Sequence, residues 1–301
     1  MSQVSEVFAA EDLTKNGEIF RALTPPARLS VFGDPVAHSA SPPMHNAALL
    51  ERGLPLQYVR VHVTPEELHS ALRHLLQAGF LGTNLTIPHK QAALSHMDEV
   101  SSEARLMGAI NTVALRDGKL HGFNTDGPGL SAAIHEKFGV SLGSQRVLIL
   151  GGAGGAGRAV TAQCALEECP SIIIANRNPS KGEELANEIT KHLSACISSI
   201  QMTEEELSKA LENSDLLINA TPLGMKGDDP SPLPNGLLKS HHLVYDTVYS
   251  GGQTALLLQA QKAGATSANG LSMLLHQGAK SFEIWFNEPA PLEKMRKALK
   301  S

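Results

Sequence analysis

RVLILGGAGGAGRAV, residues 146–160, decides the fold. Val147 to Leu150 form a short unbroken apolar run, the pattern of a strand covered on both faces. The run opens onto Gly152-x-Gly154-x-x-Gly157 and then onto a helix-compatible stretch. Alone, such a glycine spacing says little. Between a strand and a helix it is a turn whose backbone can approach a pyrophosphate and place that anion at a helix N-terminus.

The next apolar run, SIIIANRNPSKG (171–182), sharpens the point. A loop that takes NAD offers an Asp or Glu about 20 residues on, for the ribose 2′-hydroxyl. This stretch has no acid and offers Asn176, Arg177, Asn178 and Lys181. A guanidinium suits a 2′-phosphate, so NADP is expected over NAD. Further buried-strand patterns follow at LLINAT (216–221) and HLVYDTVY (242–249), with helical patterns between them. Such alternation predicts a parallel sheet with helices on both faces.

Upstream the alternation recurs. RLSVFG (28–33), LQYVRVHV (56–63) and GTNLTIP (82–88) read as strands, and SPPMHNAALLERG (41–53) as a helix. TPEELHSALRHLLQAG (64–79) predicts a helix with Thr64 as N-cap, Pro65 behind it, Glu67 closing a capping box and Gly79 at its end. Asp117–Gly118 within NTVALRDGKLHGFNTDG (111–127) predicts a hairpin. A domain boundary is expected near 127–145.

The chain has 301 residues, 42% hydrophobic and 18% charged, with a net charge of −5. That balance argues against nucleic acid or an acidic membrane as main partner. No run of about 18 apolar residues could span a bilayer, and the N-terminus does not read as a signal peptide. Three cysteines without a CxxC fit a reduced cytoplasm. The thirteen histidines lack ligand spacing, so no metal is expected. His241 and His242 would point apart if they lay on a strand.

The chemistry-bearing residues stand at strand ends, where α/β sheets bind ligands. Lys90 follows the NLTIP run, and Asp126 ends GFNTDG. Hydride transfer needs a group that moves the hydroxyl proton, and these are the candidates. Burial would lower a lysine pKa and a neighbouring Asp126 would raise it. Asn84 and Thr86 alternate on one strand face, and Met273 and Gln277 are one helical turn apart. With Asn111 these amides and hydroxyls suit a polyhydroxylated ligand. In HSASP (38–42), Ser41 reads as an N-cap with Pro42 at N1, whereas Ser39 has no capping task.

Together these pieces resemble the shikimate dehydrogenase family over nearly the whole chain after residue 28. The resemblance rests on GDPVAHSASPPMHN (33–46), GTNLTIPHK (82–90), GAINT (108–112), GFNTDG (122–127), GGAGGAGRA (151–159), ANRN (175–178), NATPLGM (219–225), YDTVY (245–249) and NGLSMLLHQ (269–277). It implies an α/β protein of two domains. Residues 1–126 would form an α/β substrate and catalytic domain, and 127–269 a Rossmann-like NADP-binding domain. The final helices, 270–301, would return to the substrate domain.

The implied activity is NADPH-dependent, reversible reduction of 3-dehydroshikimate to shikimate, a cytoplasmic step toward chorismate and the aromatic amino acids. Lys90 would be the acid/base and Asp126 its partner and a substrate ligand. Ser39 and Ser41 would bind the substrate carboxylate, and Asn84, Thr86, Asn111, Tyr249 and Gln277 its other groups. Gly152, Ala153, Gly154, Gly155 and Ala156 would form the phosphate loop. Asn176, Arg177, Asn178 and Lys181 would hold the 2′-phosphate, with Thr247 and Gly270 near the nicotinamide. On this reading Ser39→Ala weakens shikimate binding with little loss of stability.

Asn178, Pro222, Ser250 and Asn269 depart from the common pattern, none at the catalytic pair, and residues 1–27 match no counterpart. The alternatives are a quinate/shikimate dehydrogenase using NAD, a methylenetetrahydrofolate dehydrogenase, and a non-catalytic NADP-sensing protein. The missing acid after Ile174, the paired serines with NTDG, and the retained Lys90 and Asp126 argue against them in turn. Monomer and homodimer stay open.

Overall fold

A computed structural model describes residues 6–14, 17–249 and 253–300. The chain divides into two compact units, residues 1–125 with 275–301, and residues 126–274.

The first unit is built on β1 (Val7–Ala9), β2 (Ala27–Gly33), β3 (Gln57–His62), β4 (Gly82–Leu85), β5 (Glu99–Val100), β6 (Thr112–Arg116) and β7 (Lys119–Phe123). Their order is β1-β3-β2-β4-β6-β7-β5. The first four run parallel, β6 is antiparallel to β4 and β7, and β5 is parallel to β7. Its helices are α1 (Glu18–Ala22), α2 (Ser41–Glu51), α3 (Leu68–Ala78), α4 (His89–Ala92) and α5 (Ser102–Met107). The hairpin between β6 and β7 turns on Asp117 (φ 50°) and Gly118 (φ 73°). Two left-handed residues in a two-residue loop match the twist of the strands, as the Asp-Gly pair predicts.

β2 shows how the pleat builds two cores. Ala27 and Phe32 join an apolar cluster with Phe20, Leu72, Leu75 and Phe80, while Leu29 and Val31 join Met44, Leu49, Tyr58 and Phe282 on the other face. The N-terminal residues that matched no counterpart have a structural task. β1 extends the sheet beside β3, and Phe20 packs 4.9 Å from Phe8 and 5.2 Å from Phe80.

One expected helix start moves. α3 begins at Leu68, and Thr64 lies in the preceding turn. The Glu67 carboxylate still accepts the Thr64 N–H at 2.9 Å, so half of the capping box serves the turn rather than the helix. Gly79 ends α3 as expected, at φ 76°.

The second unit contains α6 (Asp126–Phe138), β8 (Arg146–Leu150), α7 (Gly155–Leu166), β9 (Ser171–Asn176), α8 (Pro179–Thr190), β10 (Ile197–Gln201), α9 (Glu204–Glu212), β11 (Leu216–Asn219), β12 (Leu243–Asp246), α10 (Ala255–Lys262) and β13 (Thr266–Asn269). All six strands are parallel, in the order β10-β9-β8-β11-β12-β13. That is the dinucleotide-binding order, and it reverses direction between β8 and β11. His241 and His242 precede β12, and their rings lie 4.2 Å apart. They therefore face each other, because a turn, not the expected strand, carries them.

α11 (Leu271–Phe286) and α12 (Leu292–Lys300) complete the chain, and α12 packs on α2 in the first unit. Among the described residues no helix is long and apolar enough to cross a membrane, and no group of three or more His, Cys, Asp or Glu could hold a metal.

His45 of α2 is the exception to a satisfied interior. It is fully buried and stacked on Tyr58 at 4.4 Å and 9°, and neither ring nitrogen has a hydrogen-bond partner among the described residues. Burial lowers its pKa from 6.5 to about 3. Between those values the unfolded chain binds a proton that the folded chain refuses. This contribution is complete above pH 6.5 and declines by about 1.4 kcal/mol per unit as pH falls toward 3. Relative to wild type, His45→Phe should gain about 2 kcal/mol between pH 7.5 and pH 5, measured by urea unfolding at both. A constant difference at the two pH values would refute a neutral buried His45.

Candidate active site

In the first unit, β2, β3 and β4 end side by side, and the connections beyond their C-terminal ends carry the expected residues. Thr86 follows β4, half-buried, with its amide donating to the Phe32 carbonyl at 2.9 Å. Lys90 is the second residue of α4. That short helix is pinned on two sides. The Ile110 amide donates to the Lys90 carbonyl at 2.7 Å, and His89 Nε2 donates to the Val63 carbonyl at 2.7 Å. Burial disfavours the charged ring and holds the His89 pKa below the usual histidine range, against the pull of this bond.

Asn84, Asn111 and Gln277, far apart in the chain, meet in one buried polar network. Asn84 Nδ2 donates to the Asn111 carbonyl, Thr112 Oγ1 and Ser281 Oγ, each at 3.0 Å. Its Oδ1 accepts the Tyr58 hydroxyl at 2.7 Å. Asn111 Nδ2 donates to Thr125 Oγ1 at 2.9 Å and to Gln277 Oε1 at 3.2 Å. Asn111 Oδ1 accepts the Thr125 amide at 2.7 Å. Asp126, the next residue, is buried and opens α6. Asn84 thus has both ends of its amide engaged within the protein, a geometry that sets its neighbours.

Tyr58, Thr112, Thr125 and Ser281 belong to this network and were not expected. Three of them had a signal: Thr112 and Thr125 directly follow singled-out asparagine motifs, and Ser281 is one turn beyond Gln277 on α11. Met273, one turn before Gln277, belongs to the second unit, where its amide donates to the Tyr245 hydroxyl at 3.0 Å.

The serine pair needs a correction. α2 starts at Ser41 itself, with Ala40 as N-cap. The Ser41 amide donates to Ser39 Oγ at 3.3 Å. Ser39, expected to have no capping task, therefore supplies a long capping contact to the first helical amide. Ser41 is buried and Ser39 half-buried.

In the second unit, Gly151 leaves β8 at φ 77°, and Gly154 is the N-cap of α7. A Cβ at Gly157 would collide with the Gly151 carbonyl and the Gly152 backbone, so the glycine lets helix and turn touch. A Cβ at Gly155 would meet nothing within 4 Å. Open space thus lies beside Gly155 at the start of α7, and Gly154 and Gly155 are exposed. That cradle fits a pyrophosphate.

At the end of β9, Asn176 is buried, while Arg177, Asn178 and Lys181 are exposed. Asn178 caps α8, its Oδ1 accepting the Ser180 amide at 3.2 Å and the Ser180 hydroxyl at 2.6 Å. A cationic edge whose sequence from 171 to 182 holds no acid fits a 2′-phosphate.

Beyond β12, a Cβ at Gly270 would strike the Thr247 carbonyl, so these two expected residues are adjacent. Asp246 accepts Asn219 Nδ2 at 2.9 Å, Thr254 Oγ1 at 2.6 Å and the Val248 amide at 3.1 Å. Burial pushes its carboxyl up against those bonds. Tyr249 is half-buried, and burial raises its phenol. Ser250 lies outside the described residues.

Three family models match the chain. Shikimate dehydrogenase substrate binding domain covers residues 31–113. Shikimate / quinate 5-dehydrogenase covers residues 132–223, and Shikimate 5'-dehydrogenase C-terminal domain covers residues 270–300. The chain is 42% identical over 273 residues to a shikimate dehydrogenase (NADP(+)) of Methanopyrus kandleri, covering 90% of this chain and 94% of that one. It is 43% identical over 270 residues to the enzyme of the same name from Citrifermentans bemidjiense, covering 89% and 93%. Among solved structures, a shikimate 5-dehydrogenase of Thermus thermophilus in complex with NADP(H) and shikimate aligns with a TM-score of 0.81 at 39% identity, over 91% of this chain and 98% of that chain.

The two halves of the first-unit site should respond differently to truncation. Asn111→Ala strands several buried groups, each costing about 1–3 kcal/mol when unsatisfied, so denaturant unfolding should show a loss of about 2–4 kcal/mol. Ser39→Ala loses one long contact and should cost under about 1 kcal/mol. Equal losses would mean that the serine turn is as structural as the amide network.

Proposed function

The chain belongs to the shikimate dehydrogenase family, and from that premise we propose that it interconverts 3-dehydroshikimate and shikimate with NADP. This is a step of aromatic amino-acid biosynthesis, and the proposed compartment is the cytoplasm, where free cysteines such as Cys164, Cys169 and Cys196 are at home. The observation that carries the proposal is the buried amide network of Asn84, Asn111 and Gln277, pinned next to the lysine of α4. It fixes the orientation of Asn111 and Gln277, the members assigned to a small polyhydroxylated ring, with a proton-moving group nearby on α4.

Bound NADP supplies the hydride acceptor in one direction and, reduced, the donor in the other. Its phosphates would lie on Gly152 to Ala156 and its 2′-phosphate against Arg177 and Lys181, with Asn176 and Asn178 at the same edge. Thr247 and Gly270 would flank its nicotinamide. Lys90 takes the hydroxyl proton as shikimate is oxidised and returns it to the carbonyl oxygen as the ketone is reduced. Asp126 accepts a substrate hydroxyl and serves as the partner of Lys90. Ser39 and Ser41 donate to the substrate carboxylate. Thr86, Asn111, Tyr249 and Gln277 bind the remaining oxygens, and Asn84 holds Asn111 and Tyr58 in place.

Absorbance at the NADPH band, with shikimate or quinate and NADP or NAD, tests the whole reading. Shikimate with NADP should give the largest kcat/KM, and no shikimate-dependent signal would sink it. Lys90→Ala should lower kcat by about 10²–10⁴-fold with the fold intact by circular dichroism. Arg177→Ala should raise the KM for NADP about tenfold or more and leave that for NAD nearly unchanged. An equal rise for both would remove Arg177 from the 2′-phosphate.

A further inference from the structure

Asp246, the last residue of β12, is a carboxylate that the assigned roles do not use. It is fully buried, as is Asn219, its neighbour across the sheet on β11. Its partners come from three segments. Asn219 Nδ2 and the Val248 amide donate to Oδ1, and Thr254 Oγ1 donates to Oδ2. The groups behind these bonds fix their directions. Asn219 Oδ1 accepts the Thr221 amide at 3.0 Å and the Thr221 hydroxyl at 2.7 Å, so Nδ2 must face Asp246. Thr254 Oγ1 accepts the Leu257 amide at 3.3 Å as the N-cap of α10, which leaves its proton for the carboxylate.

Surrounded by donors, the two oxygens call for the ionised acid, although burial disfavours its charge. All three donors are neutral, and among the described residues no cation pairs with Asp246. The second unit thus keeps a negative charge in its interior that only dipoles offset.

That charge lies against the turn assigned to the nicotinamide. Because Oδ1 accepts from Val248, two residues on, the carboxylate folds back beneath Thr247. The Thr247 amide donates to the Asn219 carbonyl at 3.0 Å, and the Gly270 amide to the Val248 carbonyl at 3.1 Å. Gly270 packs too closely on the Thr247 carbonyl for a Cβ to fit. The two redox forms of the cofactor differ at this end by one charge: the oxidised ring is a cation and the reduced ring is neutral. A buried anion separates them, because only the cation offsets it.

We propose that Asp246 selects the oxidation state of the cofactor, its charge favouring NADP⁺ over NADPH at a site whose shape suits both. The proposal rests on the reading of Thr247 and Gly270 as the nicotinamide end. Its test reads binding as well as turnover, so that the two can fail separately.

Wild type, Asp246→Asn and Asp246→Glu would be titrated calorimetrically with NADP⁺, with NADPH and with adenosine 2′,5′-bisphosphate, which lacks the nicotinamide. Asp246→Asn should weaken NADP⁺ about tenfold relative to NADPH and leave the bisphosphate within about twofold of wild type. Asp246→Glu keeps the charge, so it should keep most of the wild-type ratio between the redox forms even where both affinities fall. Equal losses for NADP⁺ and NADPH in Asp246→Asn would overturn charge selection and leave only a structural prop. A ratio that moves as far in Asp246→Glu as in Asp246→Asn would overturn it as well. If Asp246→Asn does not fold, Thr254→Val decides. It takes one neutral donor from the carboxylate, so the preference for NADP⁺ should rise above wild type, and a ratio that stays or falls overturns the claim. A wild type whose redox preference depends on Asp246 but which does not turn over shikimate would sink the proposed reaction and leave the role of Asp246 standing. A wild type that binds neither form would sink both.

Discussion

The hydrogen bond from the Thr125 amide to Asn111 Oδ1, 2.7 Å long, is the constraint on which the first unit's polar interior depends. It fixes the orientation of the Asn111 amide, so that Nδ2 must face Thr125 Oγ1 and Gln277 Oε1. That orientation draws the C-terminal helix α11 against β6 across a sequence separation of 166 residues. Thr112 and Ser281 join at 2.8 Å, and Asn84 closes the group from β4. Each member satisfies a neighbour that burial would otherwise penalise. A polar interior is acceptable here only because it is complete, and completeness is also what gives the site a single shape.

The two units offer opposite kinds of surface to the ligands proposed for them. In the second unit the surface is backbone, where glycines at the end of β8 let a turn and a helix start lie close together. In the first unit it is side chains locked to one another in the absence of a ligand. Pre-organisation of that kind reduces the ordering that binding must bring about. α4 follows the same logic, since its lysine is carried on backbone held from β3 and from the segment before β6.

The sequence was most legible where physics is local. The unbroken apolar runs of β8 and β9, the glycines of the phosphate turn and the Asp-Gly hairpin need only neighbours within a few residues. β10 (ISSIQ) and β13 (TSAN) escaped because both are sheet edges with exposed positions, and an edge strand need not be apolar. The start of α3 escaped because Thr64 and Glu67 form a turn that uses one of the two bonds of a capping box. Tyr58, which donates to Asn84 on β4, and Arg60, which donates to the Ser39 carbonyl, escaped for a different reason. Their partners are met only after the sheet has formed, and no spacing along the chain announces them. The candidate residues of the site were legible chiefly through their ordered resemblance to a family. The network that joins them required coordinates.

The placement of Arg177 and Lys181 has a consequence for substitution. Both sit on an exposed edge just past β9, and surface substitutions of this kind usually leave stability nearly untouched. Asn84, Asn111 and Gln277 are interlocked in the interior, where one change strands several partners. Under the roles proposed for them, a single substitution at the rim would alter the dinucleotide preference at little cost to folding, whereas a substitution among the interlocked residues would disturb several buried partners at once.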